Sequence, residues 1–462
     1  MKISVLALLA VAMCGGVAVA APPASKPNIV FILADDYGIN GVGCYGSDRF
    51  QNKTPNIDAL AAGGIRFEQC YSMPTCNPTR CALMTGRYGF RTGNKPSFRD
   101  EPSVARILKQ AGYATGMAGK WRQMADTPGD WGFDEHLTDP EASGYYWEKA
   151  YTENGKPVTT QEPVYYPDAC FQFAAGFFQK HRDEPFFFYY PTHLIHNPIV
   201  RTPDSKAGAS DPDALYEDNV AYLDKEVGRL VKALEQTGLR ERTLVVFAGD
   251  NGTAKYGQEQ GTIGGRAISG LKGTLLEGGS RVPLVASWPG MIAGPKVVKD
   301  LVDVTDFLPT FAEIAGASLT SGVTFDGRSF APQLRGERGN PREWVYVEHN
   351  TAPEWYVREQ GWKLTQAGEL FDMSDAPFVE KLVPREGEST EAAAARERLQ
   401  AVLAKLDPAA GKHVTPAATD KPKKKKKKKP AAAKATAAST SAASRFSAGK
   451  QERPEMHVNT RE

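Results

Sequence analysis

Two near-continuous apolar runs, each closing on oxygen-bearing side chains, constrain this chain more than any other feature. The first is Asn28-Ile29-Val30-Phe31-Ile32-Leu33-Ala34-Asp35-Asp36; the second is Thr243-Leu244-Val245-Val246-Phe247-Ala248-Gly249-Asp250-Asn251. A run with no polar alternation is the pattern of a central parallel strand, covered by helices on both faces. The chain is therefore expected to be α/β, with a large, mixed, mostly parallel sheet flanked by helices. Open sheets of this kind place their ligands beyond the carboxyl ends of the strands, where Asp35, Asp36, Asp250 and Asn251 fall. Four oxygen donors without His or Cys among them suit a hard cation. A lone Asp in such a place more often caps a loop; two strand ends carrying four donors tip the reading towards metal.

Between the two runs lies Thr75-Cys76-Asn77-Pro78-Thr79-Arg80-Cys81-Ala82-Leu83-Met84-Thr85-Gly86-Arg87. Pro78 suits a first helical position, where no amide hydrogen bond is lost. The helix start then aims free N–H groups and a positive dipole end at whatever Cys76 carries, which suits a nucleophile that handles an anion. The alternative is a buried cysteine opening a core helix. Arg80, one turn on, either steadies the nucleophile and metal ligands or forms an ordinary helix ion pair.

Elsewhere, helical patterns are read over 54–63, 101–112, 211–238, 304–316 and 390–406, and strands over 114–121, 185–190 and 284–288. Lys120 stands at the end of one strand, His193 and His196 after another, and Lys272 in a Gly-rich loop. Residues 126–180, rich in Gly, Pro and aromatics, read as substrate-side loops. Trp131, Tyr145, Tyr146 and Trp147 there suit either stacking on sugars or loop packing. From about residue 341 short runs at 344–348, 362–364 and 370–372 suggest a small antiparallel sheet.

The ends differ from the body. Lys2, an apolar run from Val5 to Met13 and Ala18-Val19-Ala20 read as a cleavable secretory leader, residues 1–20. The division that follows is a catalytic domain at 21–340, a small-sheet subdomain at 341–408 and a disordered Lys/Ala-rich tail at 409–462. The net charge of +2 hides a split: from residue 409 there are 14 Lys/Arg against 4 Asp/Glu, and before it 42 against 50. Basicity belongs to the tail, and no nucleic-acid partner is expected. No later run is apolar enough to cross a bilayer. Six cysteines leave room for one or two disulfides, in a pairing the sequence does not define.

The Cys76-x-Pro78-Thr79-Arg80 stretch with its Leu83-x-Thr85-Gly86-Arg87 continuation resembles the type I sulfatase motif. The resemblance extends to Pro27–Asp36, Thr54-Pro55-Asn56-Ile57-Asp58, Gly119-Lys120-Trp121, Gly249-Asp250-Asn251-Gly252, Lys272-Gly273-Thr274, Glu277–Pro283 and Leu370-Phe371-Asp372-Met373, in the family's order over roughly residues 27–375. It implies an alkaline-phosphatase-like fold with a small C-terminal sheet. It implies that Cys76 is oxidised by a formylglycine-generating enzyme, so that its hydrate attacks sulfate esters. One calcium ion would be held by Asp35, Asp36, Asp250, Asn251 and residue 76. Lys120 and Lys272 would contact sulfate, and His196 would assist the departing alcohol, with His193 a weaker candidate for that role.

One position departs from the pattern. The family usually carries Lys-x-His where this chain has Lys120-Trp121-Arg122. An arginine cannot serve as a general base at neutral pH, so Arg122 is expected to act as an electrostatic clamp on sulfate. The function expected is hydrolysis of sulfate esters of a carbohydrate, outside the cytoplasm in the periplasm or beyond. Two rivals stand beside it: a phosphate or phosphonate ester hydrolase of the same superfamily, and a non-catalytic glycan-binding relative.

Overall fold

The computed structural model describes residues 26–412 apart from 94, 140–143, 259–260 and 350–352. The leader, Cys14 and the tail beyond 412 lie outside the described residues. The first apolar run becomes β1 (Asn28–Ala34), buried throughout. Its alternate side chains serve two cores. Ile29, Phe31 and Leu33 face a cluster containing Leu83, Met84 and Phe311. Val30 and Ile32 face one containing Phe177, Leu223 and Val227. Apolar residues are thus needed at every position of the strand, which is why the run shows no alternation.

β1 lies inside a ten-stranded sheet whose other members are β2 (Ile65–Tyr71), β3 (Ala114–Gly119), β4 (Glu135–Thr138), β5 (Trp147–Glu153), β6 (Lys156–Tyr165), β7 (Phe186–Pro191), β8 (Thr243–Gly249), β9 (Arg281–Ser287) and β10 (Lys296–Asp303). The order is β10-β2-β9-β8-β1-β7-β3-β4-β5-β6. The central run from β8 through β1, β7 and β3 to β4 is parallel throughout. Its carboxyl ends therefore share one edge, and that edge carries the site. Strands β2, β9, β5 and β6 bring in antiparallel pairs.

Three expectations need correction, and β10 is a strand that the sequence reading did not include. The 126–180 stretch is not loop alone: it forms β4, the β5–β6 hairpin and a helix, Tyr166–Lys180. The hairpin is largely exposed, so it lacks an apolar stripe; its turn, Asn154-Gly155 with φ of 49° and 76°, was the available sign. The nucleophile helix spans Cys76–Thr85, so Pro78 is its third residue rather than its first. Strand β10 has exposed and half-buried residues over its first half and no clean period. Among the described residues no disulfide forms: Cys44, Cys70, Cys76, Cys81 and Cys170 all remain thiols.

A second, wholly antiparallel sheet contains β11 (Val345–Glu348), β12 (Trp355–Arg358), β13 (Trp362–Thr365), β14 (Leu370–Asp372) and β15 (Lys381–Val383). The helix Thr390–Leu406 covers it through Ala392 and Leu399. Its link to the site is ionic and buried. Arg358 reaches Glu277 at 2.5 Å, Lys363 pairs with Glu380, and Lys363 Nζ donates to the Leu275 carbonyl at 2.8 Å. The loop so gripped is the one that bears Lys272.

Candidate active site

The strand ends are laced together before any side chain acts. Asp250 N–H donates to the Ala34 carbonyl, Asp35 N–H to that of Leu194, and Lys120 N–H to that of Pro191, at 2.9, 2.9 and 2.8 Å. Gly119 makes the last contact possible: it has φ of 134°, and a Cβ there would lie 2.1 Å from the Pro191 oxygen. Asp36 sits in the left-handed region at φ 57°, which Asp tolerates better than most residues. Its N–H donates to Asp250 Oδ1 at 3.1 Å. That turn points Asp35 and Asp36 to the same side as Asp250 and Asn251.

All four are buried. Arg80 is 2% exposed, and its Nε and Nη2 lie 2.9 and 2.7 Å from Asp250 Oδ2, with Asp35 at 3.5 Å. Lys120 Nζ pairs with Asp35, and Lys272 Nζ with Asp36. Burial pushes the Asp35 carboxyl up, but Lys120 and Arg80 outweigh it and hold it well below the ordinary carboxylate range. Asp250 moves the other way, raised by burial and by the charge of Asp35. Asp36 also accepts from Asn251 Nδ2 at 3.0 Å and from the Tyr256 hydroxyl at 2.7 Å.

Two buried oxygens, Asp35 Oδ1 and Asn251 Oδ1, have no hydrogen-bond partner among the described residues. Ligand atoms of Asp35, Cys76 and Asp250 come within 4.8 Å of one another. Orphaned buried oxygens beside a cluster of acidic ligand atoms fit a hard cation.

Cys76 opens its helix beside these groups, on a turn braced by Thr79, whose Oγ1 lies 3.1 Å from the carbonyls of Met73 and Thr75. Burial pushes its thiol pKa up, with Lys120 opposing. A thiol held protonated is a weak nucleophile.

His196 Nε2 lies 4.0 Å from Asp36 Oδ2, while Nδ1 lies 2.6 Å from the Asn197 carbonyl. The structure thus gathers Asp35, Asp36, Cys76, Arg80, Lys120, His196, Asp250, Asn251 and Lys272 at one strand-end edge. Arg122 stands at the margin. Its guanidinium grips Asp139, with Nε at 2.9 Å, and lies 4.3 Å from the centre of the Tyr145 ring. Asp139 also lies 3.2 Å from His193 Nε2, and burial lowers the pKa of that imidazole. The Tyr145 ring is 5.2 Å from His193, 5.0 Å from His196 and 6.0 Å from Lys120 Nζ. Of the other aromatics, Trp131 and Tyr146 are buried and unavailable for stacking, whereas Trp147 is exposed.

Sequence reasoning missed Asp139 and Tyr256. Asp139 repeats the theme of a strand ending in a carboxylate, but β4 is too short and too mixed to announce itself. Tyr256, which links Asp36 to the Asn197 N–H at 2.9 Å, had no local sign at all.

Carboxylates at parallel strand ends, a helix start and three cations define a hydrolase of anionic esters. The profile of the family described as Sulfatase matches residues 27–317. The chain is 36% identical over 383 residues to "Arylsulfatase A" of Homo sapiens, covering 73% of each protein. It is 31% identical over 389 residues to "N-acetylgalactosamine-6-sulfatase" of Canis lupus familiaris, covering 74% of this chain and 72% of that one. The crystal structure of Ps i-CgsB superposes with a TM-score of 0.70 at 27% identity, over 83% of this chain and 92% of the other. The chain belongs to the sulfatase family and is a sulfuric ester hydrolase.

Proposed function

We propose that the chain hydrolyses sulfate esters of a carbohydrate, outside the cytoplasm, with residue 76 as formylglycine and one calcium ion. The observation that carries the reading is one strand-end edge that holds orphaned Asp35 and Asn251 oxygens, a protonated Cys76 and three cations. The saccharide substrate draws support from the dog relative named for N-acetylgalactosamine and from a structure of Ps i-CgsB in complex with k-i-k-neocarrahexaose, 27% identical with a TM-score of 0.68. Export rests on the leader at residues 1–20; no described helix is long and apolar enough to cross a membrane.

Oxidised residue 76 would supply a hydroxyl nucleophile, and calcium held by Asp35, Asp36, Asp250, Asn251 and that residue would offset charge on the sulfate oxygens. The remaining roles belong to this chain's own side chains. Arg80 braces Asp250 and Asp35, so that the ligand oxygens keep their place. Lys120 and Lys272 offset charge as it shifts among the sulfate oxygens in the transition state. His196 faces the ester oxygen. Its Nδ1–H is engaged by the Asn197 carbonyl, so donation from Nε2 requires the doubly protonated ring. Arg122, oriented by Asp139, adds a cation at the rim. It leaves proton removal to another group.

The test is turnover of para-nitrophenyl sulfate, para-nitrophenyl phosphate and a panel of sulfated saccharides by protein co-expressed with a formylglycine-generating enzyme. Desulfation with sulfate preferred over phosphate, lost in Cys76→Ala, is the expected result. Active protein whose peptide 76 carries only unmodified thiol would falsify the nucleophile assignment. Preference for phosphate would move the chain to the rival hydrolase, and no turnover at all to the glycan-binding reading.

A further inference from the structure

A single exposed tryptophan needs no explanation. Trp147 differs in where it stands and in what holds it. Strand β5 runs antiparallel to β4, so its first residue lies towards the edge where β3, β4 and β7 finish, the edge of Lys120, Asp139 and His193. Trp147 is 45% exposed. Its indole N–H donates to the Arg201 carbonyl at 2.9 Å, and its ring packs on Tyr165 with centres 5.2 Å apart. The next residue back, Tyr146, is buried, with its hydroxyl 2.9 and 2.6 Å from the carbonyls of His193 and His196. The residue before that is Tyr145, already against His196.

The segment from His196 to Arg201 is also tethered. Asn197 N–H donates to Tyr256, and Asn219 holds the Val200 carbonyl at 2.7 Å. One pinned shelf therefore runs from His196 to Arg201, six residues whose five steps span at most about 17 Å if fully extended. His196 and Tyr145 stand at its inner end, Trp147 and exposed Arg201 at its outer end. The indole's only polar atom is satisfied by backbone, so the ring offers an apolar face with no polar demand. That suits the C–H face of a sugar ring. Arg201, held to the indole through its carbonyl, carries an exposed side chain whose guanidinium suits a sulfate or carboxylate on a sugar.

With His196 assigned to the departing alcohol under the proposed function, a saccharide leaving past it would meet this shelf next. We propose that Trp147 and Arg201 form an accessory subsite for a neighbouring residue of an anionic oligosaccharide, on the leaving-group side. The site rests on the sulfatase reading and adds that oligosaccharides are preferred to isolated esters.

The test compares full-length matured wild type with Trp147→Ala, Trp147→Phe and Arg201→Ala. The probes are para-nitrophenyl sulfate and sulfated tetrasaccharides from chondroitin sulfate, heparin and carrageenan, each beside its sulfated monosaccharide. Wild type should prefer one tetrasaccharide. Trp147→Ala should lose about tenfold in kcat/KM on it, equivalent to about 1.4 kcal/mol, while staying within about twofold on the aryl ester. Arg201→Ala should follow the same split, and Trp147→Phe should recover most of the loss. Equal effects on both substrates, or wild type that favours monosaccharides, overturn the subsite and leave the sulfatase reading standing. Wild type inactive on every ester overturns both.

Discussion

Arg122→Ala is the sharpest perturbation, because an arginine here replaces the histidine that the family resemblance leads one to expect. The guanidinium is 18% exposed, gripped by Asp139 and stacked 4.3 Å from the Tyr145 ring. A charge-assisted contact contributes about 1.5–3 kcal/mol net, which would be roughly ten- to a hundredfold in rate. Asp139 already offsets part of that charge, so the lower end, about tenfold in kcat/KM, is expected. If the contact forms only in the transition state, kcat should fall in proportion and KM stay put. Removing Arg122 also takes a cation away from the buried Asp139, so Arg122→Ala/Asp139→Asn should recover thermal stability without recovering rate. Arg122→His should lose less activity than Arg122→Ala. The assay is steady-state hydrolysis of para-nitrophenyl sulfate by matured protein, alongside thermal melts. Unchanged kcat and KM in a folded Arg122→Ala protein would place Arg122 outside the site and end the clamp argument.

The metal reading expects exhaustively chelated protein to lose activity and regain it with calcium, and Asp250→Ala to regain none. Full activity in protein shown by elemental analysis to be metal-free sinks it. Lys363 holds the Leu275 carbonyl, and its partner Glu380 accepts the Glu277 N–H at 2.7 Å, so both steady the loop of Lys272. Lys363→Met should raise KM severalfold in wild type and add nothing in a Lys272→Ala background; additive effects would show that Lys363 acts elsewhere. Burial pushes Glu226 from 4.5 up to about 7, against the opposing charge of Arg229. The folded state then holds that proton more tightly than the unfolded chain does. Its contribution is therefore present below about pH 4.5 and lost as pH rises towards 7. Glu226→Gln should flatten denaturant-measured stability across that window, and an unchanged slope would contradict the assignment.

Much of this site was legible locally. Strands β1 and β8 announced themselves because burial on both faces demands apolar residues at every step, and their closing oxygens then stood out. The Cys76 helix was readable from its residues, although Pro78 is its third residue rather than its first. The helix Thr390–Leu406 was read to the residue, since its Ser389 cap and apolar spacing are both local. The β5–β6 hairpin was missed because an exposed hairpin has no apolar stripe to show. Asp139, Tyr256 and the Trp147 shelf were beyond reach for a different reason. Each acts through a partner far off in sequence: Tyr256 on Asp36, Trp147 on Arg201 and Asp139 on Arg122 and His193. By itself the sequence determined which residue types end each buried strand, because burial and capping act within a few positions. Only the tertiary structure decided which strand ends meet and what Arg122 touches, since strand order and register depend on contacts that no local pattern encodes.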